Sequence, residues 1–145
     1  MITIKKIICP VDFSELSRKS LQYANEFAKL SGGEVFLVGV IENDPTINYS
    51  HGLDAERAEA EKKLALLIDE EQMAGIVSDY VIYEGFAEEC IIDYAKRKEA
   101  DVIVMGSHGR RGLKRMILGS VAEHVVRRAP CPVLIVKENE HEFIK

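Results

Sequence analysis

A glycine-punctuated stretch in the second half of the sequence has the composition of an anion-binding loop. It follows the run Val102–Met105, which is short and apolar, as is typical of a parallel strand covered on both faces. Gly106 and Gly109 come next, and glycine permits tight turns and the close approach of a ligand to backbone amides. Gly119 and Ser120 then open a helix, whose N–H groups and dipole attract anions. We therefore expect phosphate to bind between this strand and this helix.

The charge of the stretch fits a small anion. Its cations, with no acidic residue among them, are Arg110, Arg111, Lys114 and Arg115. The whole chain has a formal net charge of −5, so these four cations form a positively charged segment within an acidic protein. An acidic molecule binds nucleic acid poorly, and we expect no nucleic-acid partner. Charge alone favours a simpler interpretation, a solvated surface loop.

The elements that must position this stretch alternate along the chain. Strands are predicted at 6–11, 34–41, 77–83, 102–105 and 133–136, and helices at 14–30, 55–73, 87–98 and 121–128. This order predicts an α/β fold with an open parallel five-stranded sheet and helices on both faces. A length of 145 residues predicts one domain, residues 1–145. The first half of the second helix is expected to be solvated, and the tail from 138 onward to fray.

The strand order decides where a ligand binds, because ligands in such sheets lie at the carboxyl ends of the strands, where the order reverses. Order 3-2-1-4-5 places the crevice between strands one and four, beside Asp12 and 106–109. Order 2-1-3-4-5 places it between strands one and three, beside Asp12 and 84–85. Glycines accumulate after strand four, which favours 3-2-1-4-5. At this rim the Asp12 carboxylate either accepts from an adenine amino group or a ribose hydroxyl, or caps the first helix and orders the turn.

Three segments together resemble the universal stress protein family. Gly106-x2-Gly109-x9-Gly119-Ser120 resembles its nucleotide motif, 9–14 its first-strand signature, and 129–136 its C-terminal strand. One glycine motif is weak evidence, but three matching segments in the right order span nearly the whole chain. The resemblance implies a Rossmann-like fold of the adenine nucleotide alpha hydrolase-like type, strand order 3-2-1-4-5, ATP binding and homodimers.

The same resemblance implies a set of ATP-binding residues. Asp12 would contact the adenine or the ribose, and Val40 would offer backbone groups to the adenine. The start of the fourth helix would hold the phosphates through its amides and the Ser120 hydroxyl. The full implied set is Pro10, Val11, Asp12, Val40, Met105, Gly106, His108, Gly109, Arg110, Gly119, Ser120 and Val121. One departure is Gly39, where ATP-binding members often carry a bulkier residue such as histidine.

The last strand is expected to form the dimer interface. An apolar edge strand is exposed unless another strand pairs with it. The resemblance implies that a second copy does so, through Val133, Leu134, Ile135 and Val136.

Two residues of the glycine-punctuated stretch have competing roles. Ser120 and Glu123 match a capping box, in which each side chain binds the other residue's amide, and this would compete with phosphate for the Ser120 amide. His108 could act as a general base on water, although a histidine there more often tolerates an unusual backbone angle or faces solvent. We therefore predict no catalytic residue.

The leading hypothesis for function is a nucleotide-dependent switch or sensor in the stress response, with slow or no ATP hydrolysis. The sequence has neither a Walker loop nor a dedicated metal-binding carboxylate near the glycine motif, so Mg²⁺ is expected only when it is bound to ATP. The alternatives are an ATPase or nucleotide-transferring enzyme, and a dimeric module that binds no nucleotide. We expect a cytoplasmic protein with an unknown protein partner and no membrane association, since no targeting pattern or membrane-length apolar run is present.

Overall fold

A computed structural model of the chain describes residues 1–42, 52–109 and 118–144 and shows strands alternating with helices. The strands are β1 (Lys6–Pro10), β2 (Glu34–Glu42), β3 (Val77–Gly85), β4 (Val102–Gly106) and β5 (Val133–Val136). The helices are α1 (Glu15–Ser31), α2 (Leu53–Glu70), α3 (Ala87–Lys98) and α4 (Ser120–Arg128). Every predicted element is present. No helix in these ranges is long and apolar enough to cross a membrane.

The sheet has the order β3-β2-β1-β4-β5, and each neighbouring pair is parallel. The predicted order 3-2-1-4-5 is confirmed. Because β1 lies between β2 and β4, the chain leaves the carboxyl ends of β1 and β4 in opposite directions. This divergence opens a crevice at the expected switch point.

The core has one layer on each face of the sheet, as strand alternation requires. In β1, Ile7 and Cys9 pack on one face with α1 and α2, whereas Ile8 packs on the other with α3 and α4. The helices contribute fully buried side chains to these layers: Leu21, Ala24 and Leu64 to the first, and Ala95 and Val125 to the second. Helices on both faces are therefore confirmed.

The ends of α1 follow the sequence signals, but those of α2 do not. Ser14 caps α1, its Oγ accepting from the Ser17 amide at 3.2 Å, and Gly32 ends the helix in the left-handed conformation. For α2 the predicted bounds 55–73 are shifted, because the helix ends at Glu70 and not before Gly75. Gln72 then takes a left-handed φ of 54°, and this turn places Met73 fully inside the core.

The C-terminal tail, in its described part up to Ile144, packs on α1, which contradicts the prediction that the tail frays. The Phe143 ring packs edge-on against Tyr23, with ring centroids 4.9 Å apart, and the Phe143 amide donates to the Tyr23 hydroxyl. Glu142 forms an ion pair with Lys19 at 2.5 Å. Phe143 therefore attaches the tail to α1. The sequence did not indicate this contact, because most residues around Phe143 are polar.

Asp101 joins the amino end of β4 to that of β1, and its removal is expected to destabilise the fold. Its Oδ2 accepts from the amides of Lys5 at 2.7 Å and Lys6 at 2.9 Å, which lowers the pKa of the Asp101 carboxyl. A carboxyl pKa that is lower in the folded state stabilises the protein above the ordinary pKa, and this contribution is lost as the pH falls through the lowered value. Asp101→Ala should therefore reduce the free energy of unfolding near neutral pH by about 1 kcal/mol.

Denaturant unfolding of both proteins over a range of pH tests this expectation. The difference between wild type and variant should shrink as the pH falls below about 4, where the carboxyl of the unfolded chain becomes protonated. A difference that stays constant over this range would show that the carboxylate charge does not stabilise the strand ends.

Candidate functional site

The carboxyl ends of β1, β2 and β4 and the amino end of α4 surround a cleft of about 990 Å³. This is the crevice between β1 and β4 that the strand order predicts, and its volume is in the range of small-molecule sites. Eleven of the twelve residues implied by the family resemblance line it: Pro10, Val11, Asp12, Val40, Met105, Gly106, His108, Gly109, Gly119, Ser120 and Val121. The twelfth, Arg110, lies outside the described residues.

Asp12 organises the turn between β1 and α1. Its Oδ1 accepts from the Ser14 amide at 3.0 Å and from the Ser14 Oγ at 2.6 Å, while its own amide donates to the Ser17 Oγ. Of the two roles open from the sequence, the ordering of this turn is therefore confirmed. A contact to adenine or ribose stays a prediction, and the turn fixes the carboxylate at the rim where that contact would form.

Gly109 and Gly119 are closely packed, so that an added Cβ atom would force a neighbouring atom to move, and neither has a positive φ. A Cβ atom on Gly109 would lie 2.5 Å from the Asp12 Oδ2. A Cβ atom on Gly119 would lie 3.2 Å from the His108 Cβ and 3.3 Å from the Ser107 oxygen. Gly119 itself has an ordinary φ of −73°. Any side chain at either position would therefore enter the space beside the cleft or displace its wall.

The start of α4 differs from the predicted capping box. The N-cap is Gly119, not Ser120, and no side-chain hydrogen bond caps the helix in the described residues. Glu123 donates its amide to the Gly119 oxygen at 2.9 Å, and its carboxylate pairs with Arg127 at 3.0 Å. The capping box is thus wrong, because the helix begins one residue early and Ser120 occupies its first turn. Ser120 is exposed and lines the cleft, so a phosphate there would not compete with Glu123.

His108 is held on both ring nitrogens. Its Nε2 lies 3.4 Å from Glu138 Oε1, and its Nδ1 lies 3.2 Å from Ser107 Oγ. The side chain is only 10% exposed. Gly119 donates its amide to the Ser107 oxygen, so the same segment is also joined to the start of α4. These contacts favour a positioning role for His108 over the role of general base.

Several residues of the cleft carry no motif and were missed in the sequence. Lys63, in the half of α2 predicted to be solvated, lines the cleft with its Nζ 5.6 Å from the centroid of the Phe13 ring. Phe13 also lines it and has a left-handed φ of 67°. Arg57 holds α2 over the end of β3 by donating to the Ile82 oxygen and pairing with Glu84 at 3.0 Å. The one signal in the sequence is that Lys63 directly precedes Leu64, which is fully buried.

The sequence matches the family model described as the universal stress protein family over residues 3–137. The chain belongs to this family. The universal stress protein MJ0531 of Methanocaldococcus jannaschii is 36% identical, over 95% of this chain and 85% of that protein. The solved structure of MJ0577, from the same organism, has a TM-score of 0.81 and 33% identity, covering 97% of this chain and 100% of that chain. The universal stress protein UspA from Lactobacillus plantarum has a TM-score of 0.82 and 26% identity, covering 94% and 99%.

Two further universal stress protein structures contain nucleotides. One is a complex with cAMP, with a TM-score of 0.72 and 21% identity, covering 93% of this chain and 98% of that chain. The other is the protein from Archaeoglobus fulgidus in complex with dAMP, with a TM-score of 0.69 and 24% identity, covering 94% and 100%. At these identities the likeness shows the shared five-stranded fold.

Proposed function

We propose that this universal stress protein binds ATP and acts as a nucleotide-dependent switch or sensor in the stress response, with slow or no hydrolysis. The observation that carries the proposal is the cleft itself, where the segment 106–109, the amino end of α4 and Asp12 meet at the switch point. The relatives in complex with cAMP and dAMP support an adenine nucleotide as the ligand. We further propose that the protein acts in the cytoplasm on a protein partner yet to be identified.

The residues of the cleft fit ATP. The amides at the start of α4, which no side chain caps in the described part of the chain, suit the phosphates. The missing side chains of Gly109 and Gly119 leave the backbone open to close approach. Val40, near the end of β2, and Asp12, after β1, lie at the carboxyl ends of neighbouring parallel strands, where they would contact the adenine and the ribose. Mg²⁺ would enter bound to the phosphates.

Mass spectrometry of the small molecules released when the purified protein is denatured tests the ligand class. We expect ATP or AMP among them, and saturable binding when ATP is titrated into the emptied protein. No released nucleotide and no binding on titration would overturn the proposal and favour a module that binds no nucleotide.

The switch is proposed to act through the segment Arg110–Leu118, whose residues 110–117 lie outside those the structure describes. ATP is expected to order this segment, and a partner would recognise the ordered surface. Limited digestion with trypsin, which cuts after arginine and lysine, should be slower at this segment with ATP than without it. Equal rates would contradict the switch. Sustained turnover of Mg²⁺-ATP would instead favour an ATPase or a nucleotide transferase.

We also propose that two copies pair through β5. In the described sheet β5 is an edge strand that pairs with β4 on one side. Val133, Leu134 and Ile135 are half-buried, while the Val136 side chain is buried in its own core. If the second copy pairs with the outer backbone of β5, the edge strand is covered and Val136 stays buried in the core of its own protomer. Sedimentation equilibrium, which measures the mass of the assembly, distinguishes a dimer from a monomer.

Ser120→Ala is expected to weaken ATP binding without destabilising α4. The helix is capped by Gly119 with no side-chain bond, so the Ser120 hydroxyl does not stabilise the helix end, whereas a phosphate would accept from it. One hydrogen bond of about 1 kcal/mol corresponds to a roughly fivefold loss of affinity. Isothermal titration calorimetry with ATP and thermal unfolding without it measure the two effects. A lower unfolding temperature in the absence of ATP would restore the capping interpretation.

A further inference from the structure

Phe86 is an exposed aromatic residue at the cleft. It lines the cleft, yet 58% of its surface remains accessible. Phenylalanine is normally buried in a folded domain, and a single exposed one needs no explanation by itself. Its place on the wall of a ligand cleft, together with the backbone position described next, indicates a role.

Phe86 occupies the N-cap position of α3, where phenylalanine is not a preferred residue. Phe86 is the N-cap of α3, with φ −91° and ψ 126°, and no side-chain bond caps that helix in the described residues. Its oxygen accepts the first helical bond, from the Cys90 amide at 3.0 Å. Serine, threonine, aspartate and asparagine are strongly preferred here because their side chains satisfy an otherwise unpaired amide. The N-cap of α3 therefore lacks a capping side chain, and the aromatic ring that occupies this position is largely exposed. Such local conflicts are expected at functional sites.

The β2–β3 register places Phe86 at the end of the cleft where the adenine is proposed to bind. Gly85 has a φ of 145°, a conformation that other residues rarely adopt. In the β2–β3 register Gly85 is opposite Glu42, and Tyr83 is opposite Val40. Phe86 thus follows the carboxyl end of β3 directly, beside the end of β2, where the adenine is proposed to contact Val40. Ile91, in the second turn of α3, also lines the cleft.

We propose that the Phe86 ring packs against the face of the adenine base. Aromatic side chains bind nucleobases in this way because every base presents an apolar π-face. The inference rests on the proposed function and deepens it, since it assigns recognition of the base to a residue outside the glycine motif. Phe86 then determines the affinity for the nucleoside end of the ligand, while α4 holds the phosphates.

Phe86→Ser separates this role from a structural one. Serine is a preferred N-cap, so the variant should unfold at a higher temperature than the wild type in the absence of nucleotide. Its affinity for ATP, measured by titration calorimetry, should fall by about tenfold. Inorganic triphosphate, which has no base, should bind both proteins equally. Phe143→Ser is the matched control, because Phe143 is 62% exposed but packs on α1, and its loss should leave ATP affinity unchanged.

Phe86→Trp provides a second, independent measurement. The chain contains no tryptophan, so the variant would carry a single fluorophore at the cleft. We expect ATP affinity close to that of the wild type and quenching of the fluorescence by ATP but not by triphosphate.

Each result separates the inference from the proposal on which it rests. A wild-type protein that binds neither ATP nor AMP overturns the proposed function. A wild type that binds ATP, with Phe86→Ser binding it equally well, overturns only the stacking by Phe86. Equal weakening of ATP and triphosphate in Phe86→Ser would also overturn it, because the whole cleft would then have been distorted. A changed oligomeric mass with unchanged ATP affinity would assign Phe86 to a protein interface and not to the base.

Discussion

Gly109→Val is expected to lower the affinity for ATP by at least about a hundredfold, which is roughly 2.7 kcal/mol, while the protein still folds. The reason is steric. A Cβ atom at this position would lie 2.5 Å from the Asp12 Oδ2, closer than non-bonded atoms approach, and valine adds two further methyl groups. Either the Asp12 carboxylate breaks its hydrogen bonds with Ser14 or Gly109 moves away from Asp12. Both movements alter the wall on which the ribose and phosphates are proposed to lie.

Calorimetric titration with ATP measures the loss, and circular dichroism checks the fold. Gly33→Val is the matched control, because a Cβ atom there would lie 2.7 Å from the Ile4 oxygen and 3.0 Å from the Lys5 oxygen. Gly33 precedes β2, at the opposite end of the strands from the cleft. This control should lose thermal stability and keep its ATP affinity. Unchanged affinity in Gly109→Val and also in Gly119→Val would place the nucleotide elsewhere.

The sheet order and the location of the cleft could be predicted because each depends on strong local signals. Short apolar runs alternate with amphipathic segments, and glycines accumulate after only one strand, which places the switch point between β1 and β4. Ser14 and Gly32 mark the ends of α1 by their side-chain and backbone preferences alone. Such signals act within a few residues and therefore remain visible in the sequence.

The details of the cleft that were missed depend on contacts between distant segments. Lys63 lies over the Phe13 ring, which is 50 residues earlier in the chain, and Arg57 of the same helix contacts the end of β3. His108 lies 30 residues before its partner Glu138, and no motif links them. The start of α4 was misplaced by one residue, since Gly119 and Ser120 are both acceptable N-caps and the sequence around them does not distinguish the two.

Asp12 is expected to contribute to both the fold and the ligand, and two substitutions separate these contributions. Asp12→Ala removes the oxygen that accepts from the Ser14 amide and hydroxyl, so the free energy of unfolding should fall by about 1–2 kcal/mol. The same variant should bind ATP roughly thirtyfold more weakly, the equivalent of about 2 kcal/mol for a hydrogen bond to a charged group.

Asp12→Asn retains an oxygen that can accept from Ser14 but replaces the second carboxylate oxygen with a donor. If the carboxylate accepts from the ribose or adenine, this variant should be nearly as stable as the wild type and yet bind ATP nearly as weakly as Asp12→Ala. If Asp12 only orders the turn, Asp12→Asn should match the wild type in both measurements. Urea unfolding and calorimetric titration on the same three proteins decide between these outcomes. The same carboxylate lies at the turn into α1 and in the cleft. If Asp12→Asn binds ATP more weakly but unfolds at the same urea concentration as the wild type, the carboxylate contacts the nucleotide.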